Sequence, residues 1–142
     1  MTGNEPDNRG IWPSGPIVSM PAPFEDARGA IQTLVDGNIE CVQVITSKAG
    51  TVRANHYHCT GSHYMYMIQG TIRYFHRPAD NTSSPAWIYV KEGQMVFTPP
   101  MVEHAVEFVE DSTFLNISSQ PRDQVAYEDD LVRVNLYKPF TP

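Results

Sequence analysis

Histidine is the residue type in this sequence whose number and spacing could support chemistry. Four of the five histidines fall in two glycine-led stretches, residues 50–70 and 93–108, and these are His56, His58, His63 and His104. On one strand, His56 and His58 would leave the same face, because side chains alternate with a period of two. Neutral imidazole is the commonest protein ligand for zinc, copper, iron and nickel. The pattern therefore predicts a metal site, whereas single histidines would be read as polar residues hydrogen-bonded to the backbone.

The elements that position these histidines are predicted to be strands. Short apolar and β-branched runs recur from Ala30 onward, and the breaks between them are rich in glycine, aspartate, asparagine and serine. No window has a convincing helical period, so we expect an all-β sandwich or barrel. Residues 1–23 carry five prolines and are predicted to be an N-terminal arm, followed by one domain over 24–142. The arm's apolar residues are expected to dock on the body or on a neighbouring subunit, and they are Ile11, Trp12, Ile17 and Val18.

Length and charge restrict the possible functions. The chain has 142 residues, enough for one core, and a formal net charge of −6. Its ten lysines and arginines are scattered, so the basic footprint of a nucleic-acid-binding protein is missing. No run approaches the ~20 apolar residues of a membrane span, and the first 25 residues do not resemble a signal peptide. We therefore predict a cytoplasmic protein with a small-molecule substrate and no nucleic-acid or membrane partner.

The spacing of the two stretches resembles a known family. The first motif of the cupin superfamily, G-x5-H-x-H-x3,4-E-x6-G, is similar to Gly50-x5-His56-x-His58-x4-His63-x6-Gly70. The second motif, G-x5-P-x-G-x2-H-x3-N, is similar to Gly93-x5-Pro99-x-Met101-x2-His104-x3-Phe108. The resemblance covers residues 50–108 and implies a double-stranded β-helix, the jelly-roll barrel of cupins.

The resemblance also implies a ligand set. The family's metal-binding histidines correspond to His56, His58 and His104, whereas the family's glutamate position is occupied by His63. An imidazole in place of a carboxylate removes a negative charge and favours a divalent transition metal: zinc, iron, manganese, nickel or copper. Alternatively, His63 turns away and leaves three ligands. Met101 and Phe108 also depart from the family pattern and suggest a more apolar pocket.

Candidates for the pocket wall come from strand alternation and from a second, shorter resemblance. The segment Phe24-Glu25-Asp26-Ala27-Arg28-Gly29 resembles the start of cupins that act on nucleotide sugars, in which an arginine meets phosphates. The alternative is a tight turn in which Arg28 pairs with Asp26. The predicted pocket residues are Arg28, Met65, Met67, Phe97, Val106 and Phe108. The methionines, Val106 and Phe108 could equally be ordinary core.

These resemblances imply three functional hypotheses. The first is a metal-dependent epimerase or isomerase of a keto-sugar or similar small carbonyl compound, with Tyr74 or His76 transferring the proton. The second is an oxygen-using dioxygenase with iron, copper or manganese, and the third is a non-catalytic binding module. A homodimer is expected, because outward-facing Tyr64 and Tyr66 would need cover.

Two features outside the motifs have simpler interpretations. If His76 does not transfer a proton, it is expected to lie on the surface or in a loop. The acidic residues 128–130 are interpreted as a solvated turn before the last strand.

Overall fold

The computed structural model describes residues 15–138, and within them the chain forms eleven strands and one short helix. No described helix is long and apolar enough to cross a membrane. Ile11 and Trp12 lie outside the described residues. The elements are β1 (Phe24–Asp26), β2 (Gly29–Ile31), β3 (Cys41–Ser47), β4 (Val52–His58), β5 (His63–Gln69), β6 (Thr71–Pro78), β7 (Ala86–Lys91), β8 (Met95–Thr98), β9 (Val102–Phe108), β10 (Ser112–Ser118), α1 (Gln124–Asp130) and β11 (Leu131–Arg133).

Two antiparallel sheets form a jelly-roll barrel. One sheet has the order β3-β10-β5-β8, the other has the order β11-β4-β9-β6-β7, and β1 and β2 form a separate hairpin. The all-β jelly roll expected from the sequence is confirmed. The helix α1 was not predicted, because seven residues are too few to establish a helical period.

The inner faces of the two sheets enclose the main core. Its members alternate along β5, β6 and β9 with residues that face outward, as the period of two requires. The buried residues of this core are Met65, Met67, Ile72, Tyr74, Val90, Val96, Val106, Phe108 and Phe114. Below we call this set the barrel core.

The outer face of the four-stranded sheet is covered by the chain's own N-terminal segment. Val18 donates its N–H to Met95 O at 2.9 Å, and Phe97 N–H donates to Pro16 O at 2.9 Å, so residues 16–18 run along β8. Val18 and Tyr64 pack in one cluster on this face. Docking of the second half of the arm therefore follows the prediction. Because this segment covers Tyr64 and Tyr66, these residues no longer require a partner subunit. The homodimer itself stays a prediction.

A β-bulge in β4 orients the first two histidines. Ala54 and Asn55 have φ values of 70° and 56°, in the left-handed region that non-glycine residues rarely adopt. Ala54 pairs with Ala105 and His56 pairs with His104, so two steps along β4 oppose one step along β9. Directly paired residues share a face, and adjacent residues do not. Regular pairing of the same residues would set Asn55 opposite His104, so the bulge is what keeps His56 on the same face as His104.

Asn55 holds this bulge through the C-terminal segment. Its Oδ1 accepts hydrogen bonds from the N–H groups of Leu136 and Tyr137, at 3.1 and 2.9 Å, and its Nδ2 donates to Tyr137 O at 2.9 Å. Asparagine also tolerates the left-handed conformation better than most residues do. One side chain thus fixes both the bulge and the segment that covers the five-stranded sheet.

We expect Asn55→Ala to lower the free energy of unfolding by about 1–3 kcal/mol, because two partly buried N–H groups lose their acceptor and the left-handed backbone loses a favourable residue. Chemical denaturation measures the change. The exposed turn residue Asn38 provides a control, since Asn38→Ala should change stability by less than about 0.5 kcal/mol. Equal effects of the two substitutions would contradict the role assigned to Asn55.

Candidate metal centre and its cavity

Four buried imidazoles converge inside one end of the barrel. His56 and His58 come from β4 and His104 from the neighbouring β9, whereas His63 comes from β5 in the opposite sheet. The strands β4 and β5 are consecutive in sequence but do not pair, so His63 approaches the others across the barrel.

The donor atoms are close enough to share one ion. Ligand atoms of His56, His58 and His104 lie within 4.8 Å of one another. His63 Nε2 lies 3.2 Å from His104 Nε2. Two nitrogens bound tetrahedrally to zinc at ~2.0–2.1 Å would be about 3.3 Å apart. The group of His56, His58 and His104 could therefore hold a metal, and the position of His63 is compatible with a fourth ligand.

Hydrogen bonds leave lone pairs available in the cluster. His104 Nδ1 lies 3.2 Å from Val102 O, and His58 Nδ1 lies 3.3 Å from Asp130 Oδ2. Both partners are acceptors, so the proton belongs on Nδ1 and each Nε2 keeps its lone pair. His58 Nε2 and His63 Nδ1 are buried without a hydrogen-bond partner among the described residues. The orphaned His58 Nε2 keeps a lone pair and fits a metal site better than a structural one, whereas binding through His63 Nε2 would leave the proton on His63 Nδ1.

Asp130 orients His58 and was missed from the sequence. The side chain of Asp130 is only 10% exposed, so the expected solvated turn is wrong at this residue. Asp130 accepts hydrogen bonds from Thr60 N, Thr60 Oγ1 and Gly61 N at 2.8–3.0 Å. Burial alone would raise the pKa of Asp130, but these hydrogen bonds outweigh it and hold the pKa below its usual range. A carboxylate behind a ligating histidine is a common support of metal sites.

Burial keeps the cluster uncharged. Loss of hydration, reinforced by neighbouring imidazoles, lowers the pKa of His56 to about 2. Burial likewise lowers the pKa of His104 to about 3, and it lowers the pKa values of His58 and His63. Neutral imidazole is the form that binds metals, so the site is poised for ligation at neutral pH.

A cavity of about 170 Å³ opens onto the cluster. Three predicted pocket residues, Met65, Val106 and Phe108, line it together with His56, His63 and His104. Sequence reasoning missed its other polar residues, because none of them occupies a specified position of either motif. They are Arg53, Asn116, Arg122 and Tyr127.

Three predicted pocket residues lie outside this cavity. Arg28 is on the β1–β2 hairpin, its side chain is 87% exposed, and it pairs with Asp26 at 2.6 Å, which is the alternative considered above. Met67 is buried in the barrel core, away from the cavity wall. Phe97 packs against the outer face of its sheet because Thr98, not Phe97, pairs with His63.

The predicted proton-transfer residues have different surroundings. Tyr74 is fully buried in the barrel core, its hydroxyl is bonded to Thr98 Oγ1, and burial raises its pKa. It does not line the cavity, so the geometry does not support proton transfer by Tyr74. His76 lies on β6 opposite His104 and is half-buried, in contrast to the expected surface position. A catalytic role for His76 stays a prediction.

Met101 explains why the corresponding family position is usually glycine. Its φ is 61°, a left-handed conformation that glycine adopts without strain. The side chain is 48% exposed and does not line the cavity. Met101 therefore does not make the pocket more apolar, whereas Phe108 does.

We expect the metal-free protein to lose stability as the pH falls from 6.5 to 5. The unfolded chain takes up protons with pKa values near 6.5, whereas folded His56 and His104 titrate near 2 and 3. The unfolded state therefore binds more protons in this window, and each of these histidines should cost about 2 kcal/mol by pH 5. Denaturation at a series of pH values in the presence of a chelator measures the slope. Most carboxylates titrate below this window, so a flat profile would contradict neutral burial of the imidazoles.

No protein-family model and no curated protein sequence matches the chain. Solved structures do match it. A sugar 3,4-ketoisomerase from Thermoanaerobacterium thermosaccharolyticum, QdtA in complex with TDP, has a TM-score of 0.64 and 17% identity over 80% of this chain and 84% of its own. A dTDP-4-dehydrorhamnose 3,5-epimerase from Sulfolobus tokodaii has a TM-score of 0.61 and 17% identity over 78% and 72%.

A third match is to part of a longer protein. The capsular polysaccharide assembling protein CapF from Staphylococcus aureus has a TM-score of 0.61 and 20% identity over 85% of this chain and 32% of its own. At such identities the likeness concerns the fold. The sheet order, the two motifs and these neighbours agree, and the chain has the cupin jelly-roll fold.

Proposed function

We propose that this protein is a metal-dependent isomerase or epimerase that acts on a small keto compound such as a keto-sugar. The observation that carries the proposal is the convergence of buried, neutral imidazoles at the cavity. His58 Nδ1 is bonded to Asp130, and no described residue is a hydrogen-bond partner of His58 Nε2. His56, His58 and His104 would hold the metal, and His63 would complete the set.

The structural neighbours support this reaction class. QdtA is a sugar 3,4-ketoisomerase and the Sulfolobus tokodaii protein is a 3,5-epimerase of a dTDP-linked sugar. Both kinds of reaction move a proton next to a carbonyl group. The cavity of about 170 Å³ is smaller than the ~300 Å³ of common ligand pockets. A few-carbon compound or a sugar ring fits this volume, and a nucleotide would have to lie outside it.

The side chains around the cavity would have different roles in such a reaction. A bound divalent metal would supply Lewis acidity that polarises a carbonyl. Met65, Val106 and Phe108 form the apolar wall that excludes water from the substrate. Tyr127 lines the cavity, with its ring centroid 6.2 Å from that of His56, and in our proposal it holds the proton in the role first predicted for Tyr74.

Metal content tests the ligand set. We expect His104→Ala to lose most of the bound metal, because it removes a donor between His56 and His63, whereas His76→Ala should keep it. Elemental analysis of protein purified without added metal provides the measurement. Metal loss in the His76 variant, or full metal content in the His104 variant, would overturn the assignment.

Proton exchange tests the reaction class. In D₂O, we expect the metal-loaded protein to exchange the C–H protons next to the carbonyl of hydroxyacetone or a keto-sugar, and we expect a chelator to abolish the exchange. NMR follows the loss of the proton signal. Oxygen uptake with an iron or copper form, without C–H exchange, would instead favour the dioxygenase.

A further inference from the structure

Arg122 places a cation beside the imidazole cluster. It follows β10 in the loop before α1, is half-buried and lines the cavity with His56 and His104. Its Cζ lies 5.1 Å from the centroid of the Tyr127 ring, which in turn lies 6.0 Å from the ring of His58. The positive charge of Arg122 therefore lies at the wall of the cavity that the cluster faces.

The described residues do not neutralise this charge. Arg122 Nε donates to Ser118 Oγ at 3.3 Å, a neutral partner. No carboxylate in the described part of the chain forms an ion pair with Arg122. Burial lowers its pKa, with only weaker opposition from the neighbouring Tyr127, Cys41 and Asp130. A partly dehydrated guanidinium without a carboxylate is costly unless a ligand supplies the negative charge.

The residues that line the cavity carry positive charge as a group. The described lining residues include Arg53 and Arg122 but no aspartate or glutamate, although the protein has a net charge of −6. His63 stands where the cupin motif has glutamate, and the carboxylate that the described residues bring to the cluster, Asp130, is bonded to His58, Thr60 and Gly61. A divalent cation on these histidines would increase the positive charge of the cavity further. The cavity thus selects for an anion.

We propose that Arg122 binds the carboxylate of the substrate, so that the small carbonyl compound taken by this cavity is a carboxylic acid such as a 2-oxo acid. The planar guanidinium matches a carboxylate with two parallel hydrogen bonds. A carboxylate next to the carbonyl is compact enough for a cavity of about 170 Å³. This assignment of a substrate class rests on the proposed function, whereas the anion site itself does not.

Calorimetric titration of the metal-loaded protein with pyruvate, its neutral analogue pyruvamide and inorganic phosphate tests the proposal. Pyruvate should bind about 10- to 100-fold more tightly than pyruvamide, because a charge-assisted pair is lost in the amide. Arg122→Met should remove most of that difference, with the metal responsible for any remainder, and Arg122→Lys should restore part of it. Arg28→Met is the matched control, since Arg28 is exposed and lies outside the cavity, and it should bind pyruvate as the wild type does.

Equal affinities for pyruvate and pyruvamide in the wild type would overturn the proposal without any variant. Unchanged pyruvate binding in an Arg122→Met variant that has kept its fold and metal would also overturn it. The same holds if phosphate binds in a way that depends on Arg122 and pyruvate does not. Failure of the proposed function has a different signature. Arg122-dependent pyruvate binding without C–H exchange on any ketone would contradict the isomerase and leave the anion site intact. C–H exchange on hydroxyacetone, together with pyruvate binding that does not depend on Arg122, would support the isomerase and contradict the anion site.

Discussion

The proposed metal centre depends on imidazoles from both sheets that approach one another inside the barrel. His63 from one sheet and His104 from the other approach with their Nε2 atoms at 3.2 Å, and burial keeps both neutral. A buried nitrogen without a partner costs about 1–3 kcal/mol, so a fold has little reason to keep one for stability alone. Among the described residues, His58 Nε2 and His63 Nδ1 nevertheless have no hydrogen-bond partner. Asp130 orients one of these imidazoles, His58, and is itself held by Thr60 and Gly61.

Charge is the second feature that shapes the site. In the cupin motif a glutamate brings one negative charge to the metal, and His63 removes it. Arg122 changes the charge in the same direction, from a different part of the chain and without belonging to any motif. Asp130 is close by but is engaged with His58, Thr60 and Gly61. Among the described residues that line the cavity there is no carboxylate, so in our proposal the negative charge that balances a metal and Arg122 arrives with the ligand.

Local periodicity explains what the sequence could predict. The two histidine stretches, the strand pattern and the inward positions of Met65, Val106 and Phe108 follow from spacing along single strands. Contacts between segments that are distant in the sequence do not follow from such spacing. Asp130 reaches His58 only because β11 pairs with β4, and the face of Phe97 is set by the register of β8 on β5. Arg122 lies in a loop, where residue type carries no information about direction.

The bulge at Ala54 and Asn55 gives the site an unusual form of fragility. The direction in which His56 points depends on the bulge as well as on the residue itself, because Arg53 and His56 both line the cavity although three steps separate them on β4. Regular alternation of the same residues would pair Asn55 with His104 and turn His56 to the opposite face. A sequence could thus keep every histidine and still lose the site if β4 straightened at Ala54 and Asn55.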